Sequence, residues 1–142
     1  MASAVTKPVA QRSFIVSPFA CTMRVLIVDD DSSVRNLMSI MLARLGHECI
    51  VAENGLEAVK CFSSDRQRID LVITDLNMPL MDGYETVCQI RKIDPDARII
   101  SMSANCAAEP PCDTPFLEKP FTFKTLRLCL ALARGERLRK AG

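Results

Sequence analysis

A chain of 142 residues, 49% apolar and 25% charged with a net charge of +1, carries enough apolar material for one substantial core. Its near-neutral balance excludes a global field that would recruit nucleic acid or a membrane surface, and no run reaches the roughly 18 apolar residues of a bilayer span. Seven cysteines, with no C-x-x-C pair and a single histidine, exclude zinc-ligand spacing and point to a reducing, cytoplasmic compartment.

Residues 1–22 read as a flexible leader. Lys7 and Arg12 precede a short apolar patch, SFIVSPFAC, which Pro18 interrupts, so a cleavable export signal is disfavoured. RVLIV (24–28) is a β-branched and leucine run of the kind buried on both faces of a sheet. Beyond it, Val34, Leu37, Met38, Met41, Leu42 and Leu45 fall three and four apart as one helical stripe, with Gly46 as its stop. ECIVA (48–52) is a second strand, and residues 55–62 form a short helix with Ala58, Val59 and Phe62 inward.

LVITD (71–75) is a third strand, followed by a helix over 84–93 that ends at Asp94-Pro95-Asp96. RIISMS (98–103) and FLEK (116–119) are the fourth and fifth strands. Thr122 then caps a final helix whose Leu126, Cys129, Leu130 and Ala133 share a face. Cys49, Cys61, Cys88 and Cys129 read as small core residues. His47 reads as solvated, and residues 135–142 as a basic tail. The regular alternation of strand and helix predicts an open parallel sheet with helices on both faces.

In such sheets ligands bind beyond the carboxyl ends of the strands. The first strand ends in Asp29 and Asp30, the third in Asp75, the fourth in Ser103 and the fifth in Lys119, all on one edge. Three crowded carboxylates call for a hard divalent cation, and oxygen ligands suit Mg²⁺. A carboxylate beside that cation and an ammonium is a nucleophile for phosphorus, with Ser103 placed to donate to the resulting phosphate. That chemistry explains why the buried run LVIT ends on a charge at Asp75.

VDDD (28–31), ITDLNMPLMDG (73–83), SMSA (101–104) and FLEKPF (116–121) resemble the receiver domains of two-component response regulators. The likeness spans residues 24 to about 134, so a receiver domain is expected over 23–134. It implies a flavodoxin-like five-stranded parallel sheet in the order 2-1-3-4-5. It implies that Asp75 accepts a phosphoryl group from a histidine kinase or phosphotransfer protein, and that Asp30, Asp75 and the backbone carbonyl of Asn77 hold Mg²⁺ with Asp29 acting largely through water. By the same resemblance Ser103 is the switch hydroxyl, Ala104 offers a backbone N–H to the phosphate, and Lys119 pairs with it through a cis bond to Pro120. Phe116 takes the place of a switch aromatic, without the hydroxyl that relatives often carry there. Met78, Pro79, Asp82 and Gly83 shape the loop after Asp75, and Asn77 and Asn105 occupy positions that tune phosphate lifetime.

The implied activity is phosphoryl acceptance and autodephosphorylation with no other catalysis. Output passes through protein contacts, with no nucleic acid or membrane partner and no output domain after residue 134. Two other readings exist. A receiver-like module that is never phosphorylated is one, although every phosphorylation residue is intact. A haloacid dehalogenase-type phosphatase is the other: Asp29 and Asp31 fit its first motif, but Ser33 stands where Thr or Val is wanted, and little chain remains for a cap.

Only NCAAEPPCDTP lies between Ala104 and Phe116. Three prolines in that stretch restrict helix to about one turn, so the fourth helix of the resembled fold is expected to be shortened or absent. An irregular connection is expected there, leaving Phe116 and part of the sheet less covered. It would also remove the first element of a surface through which related domains often dimerise.

Overall fold

The computed structural model describes residues 22–135, apart from 66, 106, 112 and 113. The expected leader and basic tail therefore lie, but for Thr22 and Gly135, outside the described residues.

Among the described residues nine elements follow in order. β1 (Arg24–Val28) leads to α1 (Ser32–Arg44), β2 (Glu48–Ala52) and α2 (Gly55–Asp65). β3 (Leu71–Asp75), α3 (Gly83–Ile93), β4 (Ile99–Ser103), β5 (Phe116–Glu118) and α4 (Phe123–Ala133) complete the chain. The strands form one sheet in the order β2-β1-β3-β4-β5, every neighbouring pair parallel. This is the flavodoxin-like arrangement implied above.

Strand periodicity divides the core into two layers. Val25, Ile27, Leu71, Ile73, Ile100 and Met102 face α1 and α4, where Met38, Leu42, Leu126 and Leu130 meet them. Leu26, Val28, Val72 and Ile99 face α2 and α3, against Ala58, Phe62, Val87 and Ile90. β3 and β4 are buried at every residue, as central strands covered on both faces must be. Helix starts are capped by side chains that accept orphan N–H groups: Asp31 from Ser33, Asp82 from Glu85, and Thr122 from Thr125.

Three expectations about individual faces need correction. Leu37 is exposed, because Met38, Met41 and Leu42 fill the seam of α1 and turn Leu37 outward. Cys88 is also exposed, since Val87 and Ile90 define the inward face of α3. His47 is only half-exposed, and its Nδ1 accepts the Met23 N–H at 3.1 Å. Cys129 is buried as expected, whereas Cys49 and Cys61 are half-buried.

Among the described residues between Ala104 and Phe116 there is no helix. Two turns punctuate the connection, Ala108 N–H to the Asn105 carbonyl and Thr114 N–H to the Pro111 carbonyl. The sheet beneath is nevertheless covered at Ser101, whose hydroxyl donates to Thr114 Oγ1 at 2.8 Å, with both residues buried. A polar pin takes the place of an apolar helix there. Phe116 is half-buried, less covered than Leu117 beside it.

Candidate functional site

Sheet register assembles the site. Val28 pairs with Thr74, so Asp29 and Asp75 emerge side by side where β1 and β3 end. Asp75 pairs with Met102, and Ser103 with Glu118, which brings Ser103 and Lys119 to the same edge. The carboxylates of Asp29, Asp30 and Asp75 each offer an oxygen within 4.8 Å of the others. Asp29 and Asp75 are buried, while Asp30 is exposed.

Lys119 holds the buried pair together. Its Nζ donates to Asp29 Oδ2 at 2.6 Å and lies 3.4 Å from Asp75 Oδ2. Burial works against the ammonium more than any other single influence. Its bonds to Asp29 and the charges of both carboxylates together outweigh that cost and raise its pKa above the ordinary lysine value. Burial also pushes the Asp75 carboxyl above its usual range, opposed by Lys119 and reinforced by the neighbouring Asp29. The Asn77 N–H, 3.3 Å from Asp75 Oδ1, steadies the charged form.

Asp29 is satisfied on every side. Its Oδ1 accepts the Asp31 N–H at 2.9 Å, its N–H bonds the Ala52 carbonyl, and its own carbonyl accepts from Arg35 Nη1 at 2.8 Å. Arg35 is further paired with Glu53 at 3.8 Å, tying the start of α1 to the loop after β2. Nothing in the motifs singles out Arg35. Its position four residues after Asp31, one helical turn past the carboxylates, is the only hint.

The Ser103 hydroxyl accepts two donors, Asn77 Nδ2 at 3.1 Å and the Asn105 N–H at 3.0 Å. The resemblance implies a metal role for the Asn77 backbone carbonyl, whereas the contact of its side-chain amide with the hydroxyl emerges only from the structure. Ala104 follows directly at the end of β4 and is exposed. Phe116 sits apart from the carboxylates, paired with Ser101, two residues below the Ser103 level of the sheet. The Lys119–Pro120 peptide is cis, as the resemblance implies.

The loop after Asp75 folds back tightly. The Gly83 N–H bonds the Leu76 carbonyl at 3.1 Å, and a Cβ added at Gly83 would stand 2.2 Å from the Asp75 carbonyl oxygen. Only glycine allows α3 to start that close to the end of β3. Leu80, at φ 71° and 81% exposed, turns the same loop outward.

The donor set suits a hard divalent cation: three carboxylates converge, with oxygen ligands alone and one exposed member. Mg²⁺ fits it, and the ammonium already compensates part of the charge.

Comparison with known proteins places the chain in a family. The profile of the response regulator receiver domain matches residues 25–130. The sensor histidine kinase RcsC of Salmonella typhimurium is 35% identical over 125 residues, covering 83% of this chain and 13% of that protein. The chain thus spans only about an eighth of that curated relative's length. Among solved structures, response regulator TrrA of Thermotoga maritima, in complex with Mg²⁺ and BeF, superposes with a TM-score of 0.72 at 35% identity. That match covers 79% of this chain and 99% of TrrA. The receiver domain of sensor histidine kinase PA1611 of Pseudomonas aeruginosa, with magnesium coordinated in its active-site cleft, gives a TM-score of 0.72 at 26% identity, covering 82% of this chain and all (100%) of that one. Profile, relatives and fold agree with one another, and the chain belongs to the response regulator receiver domain family.

Proposed function

We propose that this receiver accepts a phosphoryl group on Asp75 from a phosphohistidine of a histidine kinase or phosphotransfer protein, and signals through contacts that depend on that phosphate. The observation that carries the reading is the single pocket in which Lys119 lies within 3.4 Å of two carboxylates that converge with a third. A crowded, partly buried carboxylate beside an ammonium is poorly suited to a purely structural role and well suited to attack on phosphorus.

In the proposed step an Asp75 carboxylate oxygen attacks phosphorus, forming an aspartyl P–O bond as the P–N bond to the donor imidazole breaks. The departing nitrogen keeps the bonding electron pair and takes a proton from solvent. Mg²⁺, which Asp30, Asp75 and the Asn77 carbonyl would hold directly and Asp29 largely through water, would neutralise charge on the phosphoryl oxygens. Lys119 shifts part of its attraction from Asp29 to the new phosphate, Ser103 donates its hydroxyl proton to a phosphate oxygen, and Ala104 contributes its N–H. Phe116 follows the displacement of Ser103 along the sheet. The reading includes slow autodephosphorylation and no other catalysis. It places the chain in the cytoplasm, in keeping with the free Cys49, Cys61, Cys88 and Cys129. Among the described residues, no helix is long and apolar enough to cross a membrane.

Intact-mass analysis after incubation with Mg²⁺ and acetyl phosphate tests it. The expected result is a gain of one phosphate that disappears in Asp75→Asn and when the metal is chelated. Label that persists in Asp75→Asn overturns the assignment.

A further inference from the structure

The turn that follows β4 is tied to the site at one end and to α3 at the other. At the near end, the Asn105 N–H donates to Ser103 Oγ at 3.0 Å. Asn105 also organises the turn itself: its Oδ1 accepts the Ala107 N–H and its carbonyl accepts the Ala108 N–H, each at 3.0 Å. At the far end, the Tyr84 hydroxyl donates to the Glu109 carbonyl at 2.8 Å. Tyr84 lies in the first turn of α3, one residue after Gly83, whose backbone is pressed against Asp75 and Leu76. A closed circuit results, running from Asp75 through Gly83 and Tyr84 to Glu109, back through Asn105 to Ser103, and through Asn77 to Asp75.

We propose that Tyr84 is a positioning residue for the Ser103 switch. Its hydroxyl anchors the turn that carries Asn105 and so holds Ser103 in the arrangement that opposes phosphate. The inference rests on the function proposed above and names a control on the same site. Ser103 has two acceptor lone pairs and one proton, and both acceptor positions are occupied by N–H donors here. Moving the hydroxyl toward a phosphate on Asp75 requires giving up the Asn105 bond or dragging the turn with it. With Glu109 tied to α3, the turn can follow only by giving up the Tyr84 bond. With no helix among the described residues between Ala104 and Phe116, the Tyr84 bond stands where helix packing would otherwise hold this turn. By linkage, whatever favours the unphosphorylated arrangement weakens binding of a phosphate mimic, and loss of that tie strengthens it by the same factor.

The test is calorimetric titration of beryllofluoride, in saturating Mg²⁺, into the wild type, Tyr84→Phe, Ser103→Ala and the double variant. Phenylalanine keeps the ring and its packing and removes only the donor. A single tie of this kind predicts binding about 2–10-fold tighter in Tyr84→Phe. In the Ser103→Ala background the same substitution should change nothing, because the coupling runs through the hydroxyl. Tyr84 is the sole tyrosine of a chain without tryptophan, so its emission should also change on beryllofluoride binding in the wild type and not in Ser103→Ala. Unchanged or weaker binding in Tyr84→Phe, or equal tightening in both backgrounds, overturns the role of Tyr84 alone. Failure of the wild type to bind beryllofluoride overturns the proposed function and this inference together.

Discussion

Lys119 Nζ lies 2.6 Å from Asp29 Oδ2, a contact made across 90 residues of chain, and the carboxylate it reaches has no solvent exposure. The nearer partner of the ammonium is therefore the buried Asp29, with Asp75 second at 3.4 Å. In this arrangement the lysine offsets part of the negative charge of the pocket.

Lys119→Met should expose that dependence. It leaves Asp29 buried without a countercharge, a situation that costs roughly 3–5 kcal/mol in comparable sites. Urea unfolding in chelator should show the loss, and Mg²⁺ should restore part of it. A loss below about 1 kcal/mol would mean that the N–H and guanidinium donors around Asp29 already suffice.

Asp75→Asn should stabilise the metal-free protein by about 1–2 kcal/mol. Burial, more than Asp29, raises the folded pKa of this carboxyl above its ordinary 3.8, with Lys119 opposing. Stability from such a group is present below the unfolded pKa and is lost as pH rises through the folded one, so at neutral pH the charge is a burden. Thermal melts should place the variant above the wild type in chelator. Added Mg²⁺ should raise the wild type and leave the variant nearly unmoved. A lower melting temperature for the metal-free variant would argue against crowding.

Gly83→Ala puts a methyl group 2.2 Å from the Asp75 carbonyl oxygen and 2.6 Å from Leu76 Cα, both backbone atoms that cannot rotate away. The start of α3 must retreat from the end of β3. A destabilisation of about 2 kcal/mol or more, with slower labelling by acetyl phosphate, is the expected outcome. Unfolding and labelling rates equal to the wild type would show that the loop relaxes freely.

His47 predicts an acid-side loss of stability remote from the carboxylates. Burial, and then the charge of Arg134, lower its pKa from 6.5, and its neutral Nδ1 accepts from the Met23 N–H. A base with a depressed folded pKa contributes stability that is present above the unfolded value and lost as pH falls through the folded one. Urea midpoints should therefore fall as pH drops below 6.5. The fall should be shallower in His47→Gln, which keeps an acceptor but has no proton to gain. Identical slopes would remove His47 as the cause.

Beryllofluoride should not induce a dimer packed through a helix at residues 105–115, because the described part of that stretch is irregular and pinned by Thr114 and Tyr84. Light scattering with and without the mimic checks this, followed by a structure of any dimer found.

Much of the architecture was legible in the chain itself. β-Branched runs such as RVLIV and LVITD are stable only between two helical layers, and stripes such as Met38, Met41 and Leu42 have no alternative to burial at a period near 3.6. Parallel pairing then obliges Asp29, Asp30, Asp75, Ser103 and Lys119 to share one edge, and the prolines of residues 105–115 preclude a regular helix. Periodicity assigns residues to a face or an edge, and it carries no information on which neighbours across the fold lie within 3 Å. The preference of Lys119 for Asp29, the Asn77 amide on Ser103, Arg35 beneath the Asp29 carbonyl and the contact that makes Gly83 indispensable were decided by tertiary structure. So were the outward faces of Leu37 and Cys88 and the inward nitrogen of His47. Each depends on sheet register and on how closely helices approach the strands, and hydrogen bonds and close contacts are settled within a few tenths of an ångström between segments far apart in the chain.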